Sequence, residues 1–438
     1  MDEIISNMIS KYKLDKMQYD NMYAYYIGEH DIKKKYIIDK TKSNEMPIVN
    51  YIRMFIDQEL GYSLGNPISY SSKSGNEEAV KCILNNTFHW RDSHNQDLMR
   101  QLEIYGKCFL LWYVDYRDGQ ARFNEKILNP QNAIAYQDDS GKIIYLIHFY
   151  KKPFDDSEYY DVYYPDGQLE IFKDGASIEK KKLIFNEVPA YVCAFDNEKD
   201  TIYDKIKSIQ DAFNLIFADA TNLIADYRCA NFEISGQELS KEEREVVEQQ
   251  LKDGSILNFD EDTKVQWVIK NVQDTFIENN LERHRNSMLE VCNHVDATEK
   301  LQSNTSGVAL RNRLIFLEQR CDAILSVITD AIYERIYRLY QFIALMSNIK
   351  YDWTDIDITV VPNIPADDLS YINACNQLGI GQNISLETTL SGVSFVENAK
   401  LEKQKIERER EEAKAFNLDM IEDDDISGED DDVGGEAE

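Results

Sequence analysis

The sequence predicts an α+β fold in which a block of antiparallel strands is set between helical segments. Three observations carry this. Between 107 and 185, short β-branched and aromatic runs are separated by turn signals such as Asp118-Gly119 and Pro165-Asp166-Gly167. On both sides, apolar residues recur at three- and four-residue spacing, most regularly from 308 to 346. Hydrophobic residues make up 43% of the chain, with 27 Tyr and 18 Phe, enough to build a core. At 438 residues, about two to four structural units are expected.

The first helix is expected over 1–27, from Ile4, Ile5, Met8, Ile9, Tyr12 and Leu14. The lysine run Lys33 to Lys35 reads as a solvated loop within a polar stretch, 28–46. A second helix follows Pro47-Ile48-Val49-Asn50 to about Leu60, ended by Gly61 and Gly65-Asn66-Pro67. A short strand is expected at 68–72 and two helices within 75–105. The β block comprises 107–116, 121–128, 132–137, 143–151, 158–164, 168–173 and 181–185. Pro189-Ala190-Tyr191-Val192 leads into a helix at 201–227. An α/β insert spans 230–272, with a strand at 232–234, a helix at 240–252 and strands near 255–259 and 264–270. A helix at 274–295, a polar break at 296–307 and the long helix at 308–346 follow. At 1.5 Å per residue that helix would span roughly 55–60 Å. A strand at 356–361 and helices at 367–378, 385–391 and 394–415 complete the ordered chain.

Charge narrows the function. The chain has 48 basic and 79 acidic residues, a formal charge of −31. Residues 417–438 hold 11 acids and no base, so this tail is expected to be disordered, and the body is still acidic without it. A tight sequence-specific DNA binder needs clustered Lys and Arg to displace counterions, which argues against that class. It does not exclude a protein that surrounds DNA without gripping it. The seven cysteines are scattered and form no C-x-x-C pair, so reduced thiols are expected. Met1-Asp2-Glu3-Ile4-Ile5 lacks a signal peptide's basic start and apolar run, and no apolar stretch approaches a membrane span. A soluble cytoplasmic chain with no membrane partner is the expectation.

No catalytic motif stands out. The six histidines form no H-E-x-x-H frame, and His89 and His94 lie five apart between helices, where solvated or packed roles outweigh a metal site. No G-x-S-x-G, G-x-G-x-x-G or Gly-rich lysine loop is present, so the chain lacks a nucleotide-hydrolysing loop of its own. Among 79 acids, carboxylate pairs are too common to indicate acid–base chemistry. Two helices flanking a small insert, then a polar loop and a very long helix, form the informative pattern. Helices without obvious partners in their own chain usually pack against neighbouring copies, the alternative being a monomeric helical domain.

Six weak motifs occur in order. They are Ile48-Val49-Asn50-Tyr51-Ile52 with Gly61-Tyr62 and Gly65-Asn66-Pro67-Ile68; Leu128-Asn129-Pro130; Val188-Pro189-Ala190 with Phe195-Asp196-Asn197; Ile209-Gln210-Asp211-Ala212-Phe213-Asn214 with Asp219 and Asn222; Ser306-Gly307-Val308-Ala309-Leu310; and Pro362-Asn363-Ile364-Pro365. In order and spacing over about 1–415, the chain resembles a portal protein of tailed bacteriophages, the head-to-tail connector type of long-tailed phages of Gram-positive hosts.

The resemblance implies a portal-like α+β fold with a β-rich wing, helical stem, small α/β clip, long internal helix and helical crown. The wing would be 1–200, the first stem helix 201–229, the clip 230–272 and the second stem helix 273–295. A tunnel loop, 296–307, would precede the long helix and return strand of the wing at 308–366, the crown at 367–416 and the acidic tail at 417–438. It implies a homo-oligomer of about twelve copies around double-stranded DNA, bound non-specifically. Its partners would be the terminase large subunit, a head-completion adaptor, and capsid and scaffolding proteins. It would sit at the capsid vertex of the virion, reached through the host cytoplasm, with no cofactor, metal or catalytic residue. Lys300, Gln302, Ser303, Asn304 and Thr305 are the candidates for touching DNA, with Arg283 and Arg285 second. The rival from another class is an intracellular acidic, hydrolase-like enzyme with a carboxylate site in the β region.

Overall fold

The computed structural model describes residues 3–38, 43–91, 93–227, 231–235, 240–252, 264–268, 274–296, 307–363, 368–393, 396 and 398–425. Contacts divide the chain into two units: Met1–Tyr23, Met54–Ile202 and Asn293–Glu438 in the first, Ala24–Arg53 and Tyr203–Cys292 in the second.

The opening helix forms as α1 (Glu3–Tyr26). The lysine run, read as loop, is a single helical turn, α2 (Ile32–Lys35), because Ile32 is buried and Lys33 and Lys35 each reach back four residues to Glu29 and Asp31. Helix α3 (Tyr51–Ser63) runs straight through Gly61, and Asn50 caps it by accepting from the Arg53 N–H at 3.0 Å. Strand β1 (Ser69–Ser72) and helices α4 (Glu77–Thr87) and α5 (His94–Tyr105) follow. Gly106 closes α5 in the left-handed conformation at φ 76°, and a Cβ there would lie 2.0 Å from the Glu198 carbonyl oxygen.

The β block is wholly antiparallel. It runs β2 (Lys107–Arg117), β3 (Gln120–Leu128), β4 (Ala133–Gln137), β5 (Ile143–Tyr150), β6 (Tyr159–Tyr163), β7 (Gln168–Lys173), β8 (Ala176–Lys182) and β9 (Ala190–Ala194). One sheet has the order β3-β2-β9, the other β4-β5-β6-β7-β8. Strand β8 begins five residues earlier than its apolar pattern suggested. The two-residue turn Asp174-Gly175, with φ 48° and 82°, pairs Lys173 with Ala176 and sets that start. In sequence 190–194 is only a lead-in to a helix; pairing with β2, Lys107 opposite Ala194, makes it strand β9. Phe109, Leu111, Leu128, Leu146 and Val188 form one core of the block. Ile5 and Met8 of α1 pack on Ile147, Tyr160, Val162 and Phe172 in another.

Next come α6 (Ile202–Tyr227), β10 (Asn231–Ser235), α7 (Lys241–Lys252), β11 (Lys264–Val268) and α8 (Asp274–Val291). Strand β10 pairs antiparallel with β11, as an α/β insert requires. The strand expected near 255–259 lies outside the described residues. Helix α9 (Gly307–Ser347) has 41 residues and is about 60 Å long. Its stripe from Leu317 through Ile324, Ile328, Ile332 and Ile336 to Leu339 is buried. A 3-10 turn leads to β12 (Ile356–Thr359), which pairs with β1, Ser69 opposite Thr359. Helices α10 (Asp368–Leu378), α11 (Leu386–Ser391) and α12 (Ala399–Asp425) end the described chain. Helix α12 continues past 416 into the stretch expected to be disordered, which has no Pro or Gly until Gly428 to stop it.

Candidate functional site

In the second unit the motif residues of α6 meet the motif residues that precede α3. Gln210 Nε2 donates to the Val49 carbonyl at 2.8 Å, and its Oε1 accepts from the Tyr51 N–H at 3.0 Å. Asn214 Oδ1 accepts from the Val49 N–H at 3.3 Å. Asn222 accepts from the Glu45 N–H at 2.7 Å and donates to the Glu45 carbonyl at 2.9 Å. Gln210 and Asn222 therefore each supply both a donor and an acceptor to this backbone, as a neighbouring strand would, while Asn214 supplies an acceptor. Asn50 Nδ2 then donates to the carbonyls of Tyr25 and Tyr26 at 2.8 and 3.0 Å.

His30, fully buried, completes this spine. Its Nε2–H donates to the Tyr25 carbonyl at 3.1 Å, and its Nδ1 accepts from Asn214 Nδ2 at 2.9 Å. Burial holds its pKa below the ordinary histidine value, so the ring is neutral. Two carboxylates of α6 are also engaged: Asp211 accepts from Tyr25 Oη at 2.6 Å and from Lys207 at 2.7 Å, and Asp219 from Tyr36 Oη at 3.1 Å.

The first unit holds a buried charge cluster. Glu59 of α3 accepts at Oε1 from Arg320 Nε at 2.6 Å and from His294 Nε2 at 2.8 Å. His294 Nδ1 faces Gln58 Oε1 at 3.0 Å, and its ring stacks on Phe55 with centroids 4.2 Å apart. Burial works to raise the Glu59 pKa, but His294 and Arg320 outweigh it and hold the carboxyl below its usual range. Glu103 of α5 is pushed the other way, well above that range, by burial and then by the charge of Glu59.

A second buried ion pair braces the β block. Arg335 of α9 donates from Nε and Nη2 to both oxygens of Glu125, at 2.8 and 2.7 Å. His94 Nε2 and Trp112 Nε1 donate to the same carboxylate at 2.9 and 2.7 Å. Burial opposes ionisation, yet Arg335 and His94 lower Glu125 to about 2. Such a carboxylate stays charged and saturated with donors, which makes it a poor general acid or base for the rival enzyme reading. His89, the other histidine weighed for metal, bonds Asn124 at 2.7 Å.

Of the candidate DNA contacts, Lys300, Gln302, Ser303, Asn304 and Thr305 lie outside the described residues. Arg283 is exposed on α8; Arg285 is half-buried and already has an interaction partner. Sequence reasoning passed over Glu59, Glu103, Glu125, Arg320 and Arg335. The available signal was a charged residue on the apolar stripe of a helix or strand, as in Ile56-Asp57-Gln58-Glu59-Leu60.

Two further motifs also meet. Asn66 Nδ2 donates to the Val361 carbonyl at 3.1 Å, and the Asn363 N–H donates to the Tyr62 carbonyl at 2.7 Å, which joins the Gly65-Asn66-Pro67 and Pro362-Asn363 turns. Compared with known families, residues 5–415 match the model of the phage portal protein, SPP1 Gp6-like, family. The chain belongs to that family, a structural family and not one of enzymes. No curated protein matches it. Among solved structures it is similar to a chain from the neck of an empty gene transfer agent particle computed with C6 symmetry, at 9% identity and TM-score 0.49, covering 76% of this chain and 86% of that one. It is also similar to a chain from the virion of the native particle, at 10% identity and TM-score 0.48, covering 76% and 86%. A third, from the native neck computed with C12 symmetry, has 9% identity and TM-score 0.48, covering 77% and 87%.

Proposed function

We propose that this chain is the subunit of a portal ring of about twelve copies at one capsid vertex. The ring would be a conduit for double-stranded DNA during packaging and ejection. It would dock the terminase large subunit, then the head-completion adaptor, and contact capsid and scaffolding proteins during assembly in the host cytoplasm. The supporting observation is the family match across 5–415.

Residues 1–200 and 308–366 would form the wing, 201–229 and 273–295 the stem, 230–272 the clip and 367–416 the crown. At −31 per subunit, twelve copies would carry on the order of −370 formal charges. A mostly acidic bore repels phosphate and denies DNA a deep binding well, so the duplex slides. A few groups would touch the backbone without reading bases: Lys300 with Gln302, Ser303, Asn304 and Thr305 first, Arg283 and Arg285 second. No covalent step is assigned to the chain; a separate ATPase would supply the work.

Native mass measurement with negative-stain microscopy tests this. Annular particles of about 0.6 MDa, twelve times 51.0 kDa, are expected. A monomer stable at every concentration would overturn the reading.

A further inference from the structure

Phe154 is the most exposed large hydrophobic residue described, at 109% of its reference area. It also occupies a backbone conformation that phenylalanine rarely adopts. The Asp155 N–H bonds the Lys152 carbonyl at 3.2 Å, which closes a turn with Pro153 first and Phe154 second, and Phe154 has φ 64°. That second position normally takes Gly or Asn, because a Cβ is disfavoured there. The turn is built rigidly. Asp155 accepts from Tyr159 Oη at 2.7 Å, from Lys173 at 3.1 Å and from the Ser157 N–H at 3.0 Å. Lys152 lies over the Tyr159 ring at 4.2 Å. An apolar ring held in a strained conformation and given no cover among the described residues suits a contact with another surface.

The same unit carries a groove of about 430 Å³ between α1 and β4. Ile4, Met8, Phe109, Ile134 and Val192 supply its apolar lining. Its strand, β4, is one edge of the five-stranded sheet and has no charged residue, whereas the other edge, β8, carries Lys180, Lys181 and Lys182. Lysines guard a sheet edge against pairing, so β8 is protected and β4 is not. Asp15 on the groove and exposed Lys151 beside the turn each make no ion pair among the described residues.

We propose that Phe154 of one copy seats in the α1–β4 groove of a second copy, with Lys151 facing the second copy's Asp15. Knob and groove are different parts of one surface, so the contact is head-to-tail and repeats from copy to copy until a ring closes. The inference rests on the portal reading and adds the contact that closes the ring.

The test places cysteines in the full chain as F154C and Y136C, Tyr136 being a half-exposed residue of the groove. Treatment with a short bis-maleimide should give a ladder of multiples of 51.0 kDa in the double variant and not in either single one. Rings without that ladder overturn the docking and leave the portal reading standing; no rings from the unaltered chain overturn both. A second variant, Phe154→Gly, relieves the turn. It should melt no lower than the parent while the concentration for half-assembly rises about tenfold. Unchanged assembly would mean that the ring serves only its own loop, and the docking would fall.

Discussion

His294 and Glu59 form a hydrogen-bonded pair whose side chains are both fully shielded from solvent, with Nε2 2.8 Å from Oε1. Arg320 shares the same oxygen at 2.6 Å. One carboxylate thus neutralises two cationic or potentially cationic groups drawn from α9 and from the residues just after α8. Glu59→Gln keeps the size of the side chain and removes its charge, taking from buried Arg320 the carboxylate that accepts from its Nε and leaving Asp200, 3.9 Å from Nη1 and half-exposed, as a weaker partner. A loss of about 3–5 kcal/mol is expected, read by denaturant unfolding of the subunit. Lys81→Ala, which breaks only the solvent-exposed pair with Glu77, should cost under about 1 kcal/mol. Equal effects from the two variants would show that the Glu59 cluster is not a working ion pair.

Glu103 gives a pH dependence of definite sign. Its folded pKa is raised well above the ordinary carboxylate value, by burial first and then by the negative charge of Glu59. The stability tied to this group is therefore complete below the unfolded carboxylate pKa and is lost as pH rises toward the folded value. Glu103→Met fills similar space without a charge and should flatten that alkaline slope while holding or raising the melting temperature. Melting curves across a pH series check this, and a slope unchanged in the variant would contradict it.

Glu125 runs in the opposite direction. Burial works against its charge, but Arg335 and His94 lower its pKa to about 2. Its contribution is present above the unfolded carboxylate pKa and is lost as pH falls through that range toward about 2. Arg335→Lys keeps the positive charge and loses the two-pronged contact, along with the guanidinium 5.2 Å from the Trp90 ring. The variant should unfold at higher pH than the parent on acid titration. An unchanged acid midpoint would show that Lys is an adequate replacement.

The carboxamides of α6 predict a local effect. Gln210→Ala leaves the buried Tyr51 N–H and the Val49 carbonyl without the partners described above, at about 1–3 kcal/mol per unsatisfied group. Amide exchange should speed up at 45–53 while the strands β2 and β3 keep their protection. Uniform exchange over the whole chain would mean that Gln210 supports global stability instead.

These residues show what was legible in the sequence and what was not. Gln210, Asn214 and Asn222, like Asn50, were visible as members of two of the ordered motifs that carry the family resemblance. The pattern did not reveal that the two motifs bond each other, since spacing along a chain says nothing of what lies opposite. The β block was legible from its turns, but β8 was misplaced because every one of its residues is exposed and it has no apolar alternation. Strand β9 was missed because its identity comes from pairing with β2, a tertiary fact. Glu59, Glu103 and Arg320 were hidden for the same reason: among so many charges, a buried one is identified only by its partners.

Repulsion from an acidic bore falls off within about 10 Å at 0.1 M salt, so a lysine or arginine beside the duplex acts on phosphate locally, whatever the net charge. Lys300→Ala should impair DNA packaging or retention more than ring assembly, and Arg283→Ala should do so more weakly. Both effects should shrink as ionic strength rises, because screening removes the contact that the substitutions remove. The measurement is packaged DNA per assembled head, taken alongside the yield of rings. Normal packaging by the Lys300 variant would remove residues 296–307 from the DNA path, and a parallel loss of rings would assign Lys300 to subunit contacts instead.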